Sequence, residues 1–141
     1  MKLLILDVGY GEHPKGDINL DVGLRSKNSY PAGLKTKANI IADAHHLPFR
    51  PQSFRLVMCT HVLEHLKSPR EALREFNRVG EHVAITVPHK WCPNNNRNLT
   101  HKWSFTDSWF HSLGYRAIVN VTYRRFGPIL IPFWNEVIAS C

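Results

Sequence analysis

The first 21 residues constrain the fold more than any other part of the chain. The apolar run of residues 3–6 leads into Asp7-Val8-Gly9-Tyr10-Gly11, and a second short run, Ile18-Asn19-Leu20, ends on Asp21. A strand, a glycine-rich turn and a strand that ends on a carboxylate are typical of an α/β sheet that binds an adenosine-containing cofactor. The span between the two runs is short and contains Gly11, Pro14 and Gly16. The helix that usually separates such strands is therefore predicted to be missing.

The charges beside this turn favour a cationic cofactor over a dinucleotide. A dinucleotide presents a pyrophosphate, which proteins usually hold at a helix N-terminus, and the chain has neither room for that helix nor the third glycine of G-x-G-x-x-G. Asp7 and Glu12 would repel a pyrophosphate, whereas they would attract the sulfonium and ammonium groups of S-adenosylmethionine. Asp21 would then accept hydrogen bonds from the ribose hydroxyls. The alternative is that Gly9 and Gly11 serve only a tight turn.

The composition is that of a single domain over residues 1–141. Hydrophobic residues make up 43% of the chain, which is enough for a core, and no apolar run is long enough for a membrane span or a signal peptide. Cys59, Cys92 and Cys141 lack the spacing of a disulfide scaffold, so we expect a cytoplasmic protein. The net charge of +7 makes nucleic acid a candidate partner, although the scattered basic residues favour an ordinary basic surface that aids solubility.

Apolar patterning predicts a doubly wound, Rossmann-like α/β sheet of about seven strands. A helix is predicted from the cap Ser68 to Gly80, with Pro69 at its first position and Glu71 three residues after the cap. A second helix is predicted over residues 106–113. The last two strands are expected to be antiparallel, because their connection is too short for a parallel crossover, and the others mostly parallel. The strands are predicted at residues 3–6, 18–20, 39–42, 54–59, 82–87, 117–123 and 134–139.

Acidic residues follow the predicted strands at matching positions. Asp7, Asp21 and Asp43 lie at or near the ends of the first three strands, and His61 follows the fourth. Ligands of such sheets bind beyond the carboxyl ends of the strands, so these residues are predicted to line one site. An isolated aspartate more often caps or solvates a loop, but three at matching positions favour a common role.

Six segments, in chain order, carry a more specific resemblance. They are Leu6-Asp7-Val8-Gly9-Tyr10-Gly11, Ile18-Asn19-Leu20-Asp21, Asp43-Ala44-His45-His46-Leu47-Pro48-Phe49, Ser53-Phe54-Arg55-Leu56-Val57, His61-Val62-Leu63-Glu64-His65-Leu66 and Arg78-Val79. With these segments the chain resembles a class I S-adenosylmethionine-dependent methyltransferase of the methyltransferase-11 type, in a branch that lacks the first helix. Arg55 stands where the family usually has an acid, and Gly80-Glu81-His82 replaces a longer turn before the fifth strand. Neither departure lies at the predicted cofactor site.

The resemblance implies that S-adenosylmethionine is the cofactor and assigns a role to each matching residue. At the first strand, Gly9, Tyr10 and Gly11 would form the turn beside the methionine part of the cofactor. Asp7 would orient that turn and the ammonium group, and Asp21 would bind the ribose.

The same resemblance implies an adenine site at the next strand ends. Asp43 and the Ala44 amide would read the adenine edge, and Val22 would pack on the adenine ring. His61 would sit beside the cofactor at the end of the fourth strand.

Methyl transfer mainly requires alignment of the acceptor and exclusion of water. A base is needed only where the attacking oxygen or nitrogen carries a proton. The candidates are His61, His65, His89 and His101. We expect His89 and His101 to act on the substrate, and His65 to lie on a helix surface. The methyl acceptor stays open among a small molecule, a sugar, a protein and RNA.

Two other functions are weighed against this one. A zinc site built from Cys59, His61 and His65, with His89, Cys92 and His101, is disfavoured because the chain has no C-x2-C pair, and no metal is expected. A catalytically inactive module that binds nucleic acid or a protein partner would show salt-sensitive nucleic-acid binding and no measurable cofactor binding. Because the missing helix leaves the cofactor site open, a partner subunit that completes it is a further expectation.

Overall fold

A computed structural model describes residues 4–9, 15–22, 40–92, 95, 98–126 and 128–141. Its strands are β1 (Ile5–Val8), β2 (Ile18–Asp21), β3 (Ile40–Ile41), β4 (Phe54–Thr60), β5 (Gly80–Pro88), β6 (Arg116–Phe126) and β7 (Ile129–Ser140). The helices in this part of the chain are α1 (Pro69–Val79), α2 (Asp107–His111) and a 3-10 helix, Leu63–His65.

All seven strands form one sheet in the order β3-β2-β1-β4-β5-β7-β6. Strands β1 to β5 pair in parallel, and β7 runs antiparallel to both β5 and β6. The chain moves outward from β1 to β3 and then continues on the other side of β1 with β4, so its direction across the sheet reverses there. The predicted Rossmann-like α/β sheet, mostly parallel with an antiparallel last strand, is confirmed.

Helix α1 forms as its sequence pattern predicts and packs against β4 and β5. Its buried side chains, Ala72, Leu73, Phe76 and Val79, recur at helical spacing, so one stripe of the helix covers the sheet. Ser68 occupies the N-cap position, but its side chain makes no capping hydrogen bond, contrary to the predicted capping box. Instead, the Ser68 N–H donates to Nε2 of His45, 3.1 Å away.

The hairpin of β6 and β7 is longer than its sequence pattern predicts. Pairing continues to Phe126 and Ile129, although Pro132 interrupts the apolar pattern of β7. A proline lacks the N–H that a central strand needs. Here β7 pairs with β5 only through residues 136–140, so Pro132 lies beyond the end of β5 and its missing N–H breaks no bond to that strand.

The segment between β1 and β2, where the first helix is predicted to be missing, is only partly among the described residues. Gly9 and residues 15–17 are not helical, while residues 10–14, which include Tyr10, Gly11 and Glu12, lie outside them. Among the helices that the structure describes, none has the length and apolar character needed to cross a membrane.

Candidate functional site

The four residues predicted from strand ends lie along one edge of the sheet. Strands β3, β2, β1 and β4 are neighbours and parallel, so their carboxyl ends meet at the same edge. Asp7 is the penultimate residue of β1 and Asp21 the last of β2. Asp43 lies two residues after the end of β3, and His61 follows directly after the end of β4. We call this carboxyl edge, with its three acids and one imidazole, the acidic edge.

Asp7 is a buried carboxylate that holds the return of the chain toward β2. The residue is 2% exposed, and its Oδ2 accepts a hydrogen bond of 2.9 Å from the Lys15 N–H. Burial raises the pKa of Asp7, and the bond from Lys15 partly opposes that rise. A raised pKa means that the charged form costs stability in the fold, which is common where a charge serves binding.

Asp21 ends β2 beside two exposed aliphatic side chains. Its Oδ1 accepts a hydrogen bond of 2.7 Å from the Val22 N–H. Val22 is 69% exposed, and Ile41, the register partner of Asp21 on β3, is 53% exposed. A carboxylate flanked by open apolar surface suits a ligand with hydroxyl groups next to a flat apolar ring.

Asp43 anchors the turn that follows β3. Its Oδ1 accepts a hydrogen bond of 2.9 Å from the His45 N–H and also contacts Nδ1 of the His45 ring. Both bonds lower the pKa of Asp43, and the bond from the backbone N–H has the larger effect. The carboxylate is therefore charged at neutral pH. More than half of its side chain remains exposed, whereas the adjacent Ala44 is buried.

Gly9 is required by its backbone and by its neighbour Val62. It has a φ of +68°, in the left-handed region that favours glycine. A Cβ at this position would lie 2.3 Å from Cγ2 of Val62, which follows His61. Gly9 at the end of β1 therefore lies close against Val62 in the segment after β4.

His61 stands at the end of β4 between two acids. Its Nε2 lies 3.0 Å from Oε1 of Glu136 on β7, and its Nδ1 lies 3.6 Å from Oε1 of Glu64. Glu64 and then Glu136 raise the pKa of His61, against the opposing effect of partial burial. The residue also has a φ of +55°, an uncommon conformation for a residue with a side chain.

The predicted catalytic residue His89 is buried at the end of β5. Its Nδ1 accepts a hydrogen bond of 3.2 Å from the Trp91 N–H, and burial lowers its pKa. The ring is therefore neutral at pH 7, with its proton on Nε2.

The other predicted catalytic residue, His101, lies against His65. The two ring centroids are 4.8 Å apart, and Nδ1 of His101 lies 2.6 Å from Oδ1 of Asn95. Partial burial lowers the pKa of His101, so this ring too is neutral at pH 7. His65 was predicted on a helix surface; it lies in the 3-10 helix, where its side chain is half-buried with Nδ1 bonded to Thr100.

Sequence patterns alone missed Glu64 and Glu136 as members of this region. Glu64 is 1% exposed, and an acid directly after the apolar pair Val62-Leu63 is the signal that could have found it. Glu136 similarly interrupts the apolar end of β7. Its contact with His61 depends on β7 lying beside β5, which no local pattern specifies.

The fold and a family model agree on the same resemblance. The model of a family described as a methyltransferase domain matches residues 22–83. The strand order with an antiparallel seventh strand and the family match together define the fold of class I S-adenosylmethionine-dependent methyltransferases, so the predicted resemblance is confirmed. A comparison with curated protein sequences gives no match.

Solved structures with this fold cover nearly the whole chain. A Thermotoga maritima protein described as an S-adenosylmethionine-dependent methyltransferase, possible histamine N-methyltransferase, has a TM-score of 0.64 at 10% identity, over 99% of this chain and 82% of that one. A similarly described methyltransferase from Archaeoglobus fulgidus has a TM-score of 0.57 at 16% identity, over 96% and 84%. A complex of the Haloferax volcanii Trm112 methyltransferase activator with a methyltransferase has a TM-score of 0.56 at 12% identity, over 96% of this chain and 80% of that one. At these identities the likeness shows the fold alone.

Proposed function

We propose that the protein is an S-adenosylmethionine-dependent methyltransferase whose cofactor binds at the acidic edge. The observation that carries this proposal is the alignment of Asp7, Asp21, Asp43 and His61 at the ends of four adjacent parallel strands. Ligands of open α/β sheets bind at this edge, next to the point where the strand order reverses. Carboxylates there suit a cofactor that carries a sulfonium and an ammonium group.

The described residues fit the parts of such a cofactor. Asp21 would accept the ribose hydroxyls, while Val22 and Ile41 offer apolar surface for the adenine. Asp43 and the Ala44 amide would meet the polar edge of the ring. Asp7, through Lys15, would hold the loop around the methionine part, to which Gly9, Tyr10 and Gly11 are proposed to contribute.

Methyl transfer at this edge would require little acid–base catalysis by the side chains of the protein. The bound cofactor supplies a methyl group on a sulfonium, which is already a good leaving group. The protein's task is to align the acceptor with that methyl group and to exclude water. Where the acceptor loses a proton, the proposed bases are His89 and His101, both neutral at pH 7. His101 has the better-placed nitrogen, because Nδ1 of His89 already accepts the Trp91 N–H.

A partner subunit is part of the proposal. The Haloferax structure is that of a methyltransferase together with an activator protein, which supports the idea that a similar fold works with a second subunit. The net charge of +7 supports nucleic acid as a partner or acceptor. An inactive module that binds nucleic acid or protein is the competing function.

Isothermal titration calorimetry with S-adenosylhomocysteine tests the proposal. We expect the wild-type chain to bind one equivalent, and Asp21→Ala to bind at least tenfold more weakly because the ribose loses its hydrogen-bond acceptor. Glu81→Gln, an exposed acid near the amino end of β5, is the matched control and should bind as the wild type does. Absence of binding in all three proteins, together with salt-sensitive binding of RNA, would favour the inactive module. Equal binding in all three would remove only the role of Asp21.

A further inference from the structure

Glu64, His65 and His101 bring three potential metal ligands together beyond the end of β4. One carboxylate oxygen and one nitrogen of each imidazole all lie within 4.8 Å of one another. Glu64 and His65 belong to the 3-10 helix, and His101 to the segment after β5. The Glu64 carbonyl accepts the N–H groups of Lys102 and Trp103 at 2.7 and 3.3 Å, which fixes the two segments against each other.

The Glu64 carboxylate lacks the hydrogen-bond partners that a buried charge needs. The residue is 1% exposed, and neither of its oxygens has a hydrogen-bond partner in the part of the chain that the structure describes. The nearest imidazole nitrogens, on His61 and His65, are 3.6 and 3.9 Å from Oε1, too far for a hydrogen bond. Burying a carboxylate in this way is costly unless a cation offsets it.

Hydrogen bonds orient the His65 ring toward this carboxylate. Nδ1 of His65 lies 3.2 Å from the Thr100 carbonyl and 3.1 Å from the Thr100 hydroxyl. That hydroxyl donates to Oδ1 of Asn98, so it acts as an acceptor toward His65. Nδ1 therefore carries the ring proton, and Nε2 faces Glu64 with its lone pair.

The His101 ring is held in the same way. Its Nδ1 lies 2.6 Å from Oδ1 of Asn95, a buried residue. The Asn95 amide nitrogen donates to Ser104, which sets the direction of the amide and leaves its oxygen for His101. Nε2 of His101 is thus also left with a free lone pair. Second-sphere acceptors on Nδ1 are the usual support of a histidine that binds a metal through Nε2.

We propose that Glu64, His65 and His101 form a binding site for a divalent transition metal ion of the zinc type. One carboxylate and two imidazoles are a donor set that Zn²⁺ accepts readily. Ligand atoms around a tetrahedral ion lie roughly 3.3 to 3.5 Å apart, so the set must contract when an ion binds, from 3.9 Å between Glu64 and His65 and from up to 4.8 Å across all three ligands. This set differs from the cysteine-containing one weighed from the sequence, because Cys59 is fully buried in the core.

The site goes beyond the proposed methyl transfer and does not depend on it. Three protein ligands leave one coordination position of a tetrahedral ion open. With a metal bound, Nε2 of His101 coordinates the ion and does not act as an isolated base. An oxygen or nitrogen nucleophile bound to the ion would lose its proton more easily.

Calorimetric titration of Zn²⁺ into the whole, chelator-treated chain tests the site. We expect one Zn²⁺ per chain in the wild type, and at least tenfold weaker binding in Glu64→Gln and in His101→Gln. His82→Gln, which removes an exposed histidine on β5, and Cys92→Ser, which removes a half-buried thiol, are controls that should bind as the wild type does. Zn²⁺ should also raise the melting temperature of the wild type but not that of Glu64→Gln.

Several results would overturn the site. They are no Zn²⁺ binding by the wild type, unchanged affinity in both ligand variants, or loss of binding in Cys92→Ser. If Glu64→Gln fails to fold, His101→Gln, at a half-buried residue, carries the same test. Binding of S-adenosylhomocysteine to the metal-free protein reports on the proposed methyltransferase separately, so the two proposals can fail independently.

Discussion

Nε2 of His61 lies 3.0 Å from Oε1 of Glu136, a contact that joins the end of β4 to the antiparallel strand β7. Strand β5 lies between these two strands. The His61 N–H also donates to the Thr86 carbonyl on β5 at 2.8 Å. His61 thus connects three strands at the carboxyl edge, beside the proposed cofactor, while its own backbone has a φ of +55°.

This backbone conformation predicts an unusual order of stability at position 61. His61→Ala and His61→Gly both remove the contacts with Glu136 and Glu64, but only glycine adopts a positive φ without strain. We expect His61→Gly to be more stable than His61→Ala by about 1 kcal/mol. Urea denaturation of the two variants measures the difference. An alanine variant as stable as the glycine variant would contradict the assigned conformation.

The contact between Gly9 and Val62 predicts a coupled pair of substitutions. Gly9→Ala forces a Cβ into the left-handed region and to within 2.3 Å of Cγ2 of Val62, so it should cost roughly 2–4 kcal/mol of unfolding free energy. In a Val62→Ala background the steric part of that cost should disappear, while the backbone part should remain. A double-mutant cycle measures the coupling. Strict additivity of the two substitutions would show that Val62 does not pack on Gly9.

The pair of Glu75 and Arg78 predicts an acid-sensitive contribution to stability. Glu75 accepts two bonds of 2.7 Å from Arg78 and one of 2.8 Å from the Leu47 N–H. Arg78 also donates to the carbonyls of Leu47 and Phe49, so the pair ties that turn to α1. Hydrogen bonding to Arg78 is the main cause that lowers the pKa of Glu75. The resulting stability is present above the pKa of the unfolded chain and is lost as the pH falls through the lower, folded value.

Glu75→Gln should therefore destabilise the protein by roughly 1–2 kcal/mol at pH 7, and the difference from the wild type should shrink below about pH 4. Glu71→Gln, at an exposed position of the same helix, is the control and should change little. Urea denaturation at pH 7 and at pH 3.5 makes the comparison. If Glu75→Gln lowers the free energy of unfolding by the same amount at both pH values, the charge of Glu75 does not contribute to stability.

Asp7 predicts the opposite sign of pH dependence. Because burial raises its pKa, the charged form costs stability at neutral pH, and this cost disappears as the pH falls through the folded value. Asp7→Asn keeps an acceptor for the Lys15 N–H and removes the charge. We expect the variant to be more stable than the wild type at pH 7 and to bind S-adenosylhomocysteine more weakly. A variant that is less stable at pH 7 would show that Asp7 is retained for the fold and not for binding.

Local patterns predicted much of this structure because most of it follows local rules. Asp21 was found because it ends a short apolar strand, Asp43 because it lies just after another, and α1 because Pro69 and the buried stripe fit a helix. The extent of β6 and β7 was underestimated because Pro132 is tolerated only beyond the end of β5. That condition belongs to the assembled sheet and not to the sequence around Pro132.

The parts of the site that depend on distant segments were not predictable in this way. Glu64 reads as one member of a family motif, and only the packing of residues 98–104 over it reveals a buried carboxylate between imidazoles. His65 was expected on a helix surface because the sequence around it shows no partner for its ring. Its partner, Thr100, is 35 residues away in the chain. The roles of Tyr10 and Gly11 remain predictions, since both lie outside the described residues.

Paired calorimetric titrations with S-adenosylhomocysteine and NAD⁺ measure which cofactor the acidic edge accepts. If carboxylates at the ends of β1, β2 and β3 form the cofactor site, the wild-type chain should bind S-adenosylhomocysteine and should give no heat with NAD⁺, whose pyrophosphate those charges repel. Binding of NAD⁺ without binding of S-adenosylhomocysteine would show that these carboxylates do not form a site for a cationic cofactor.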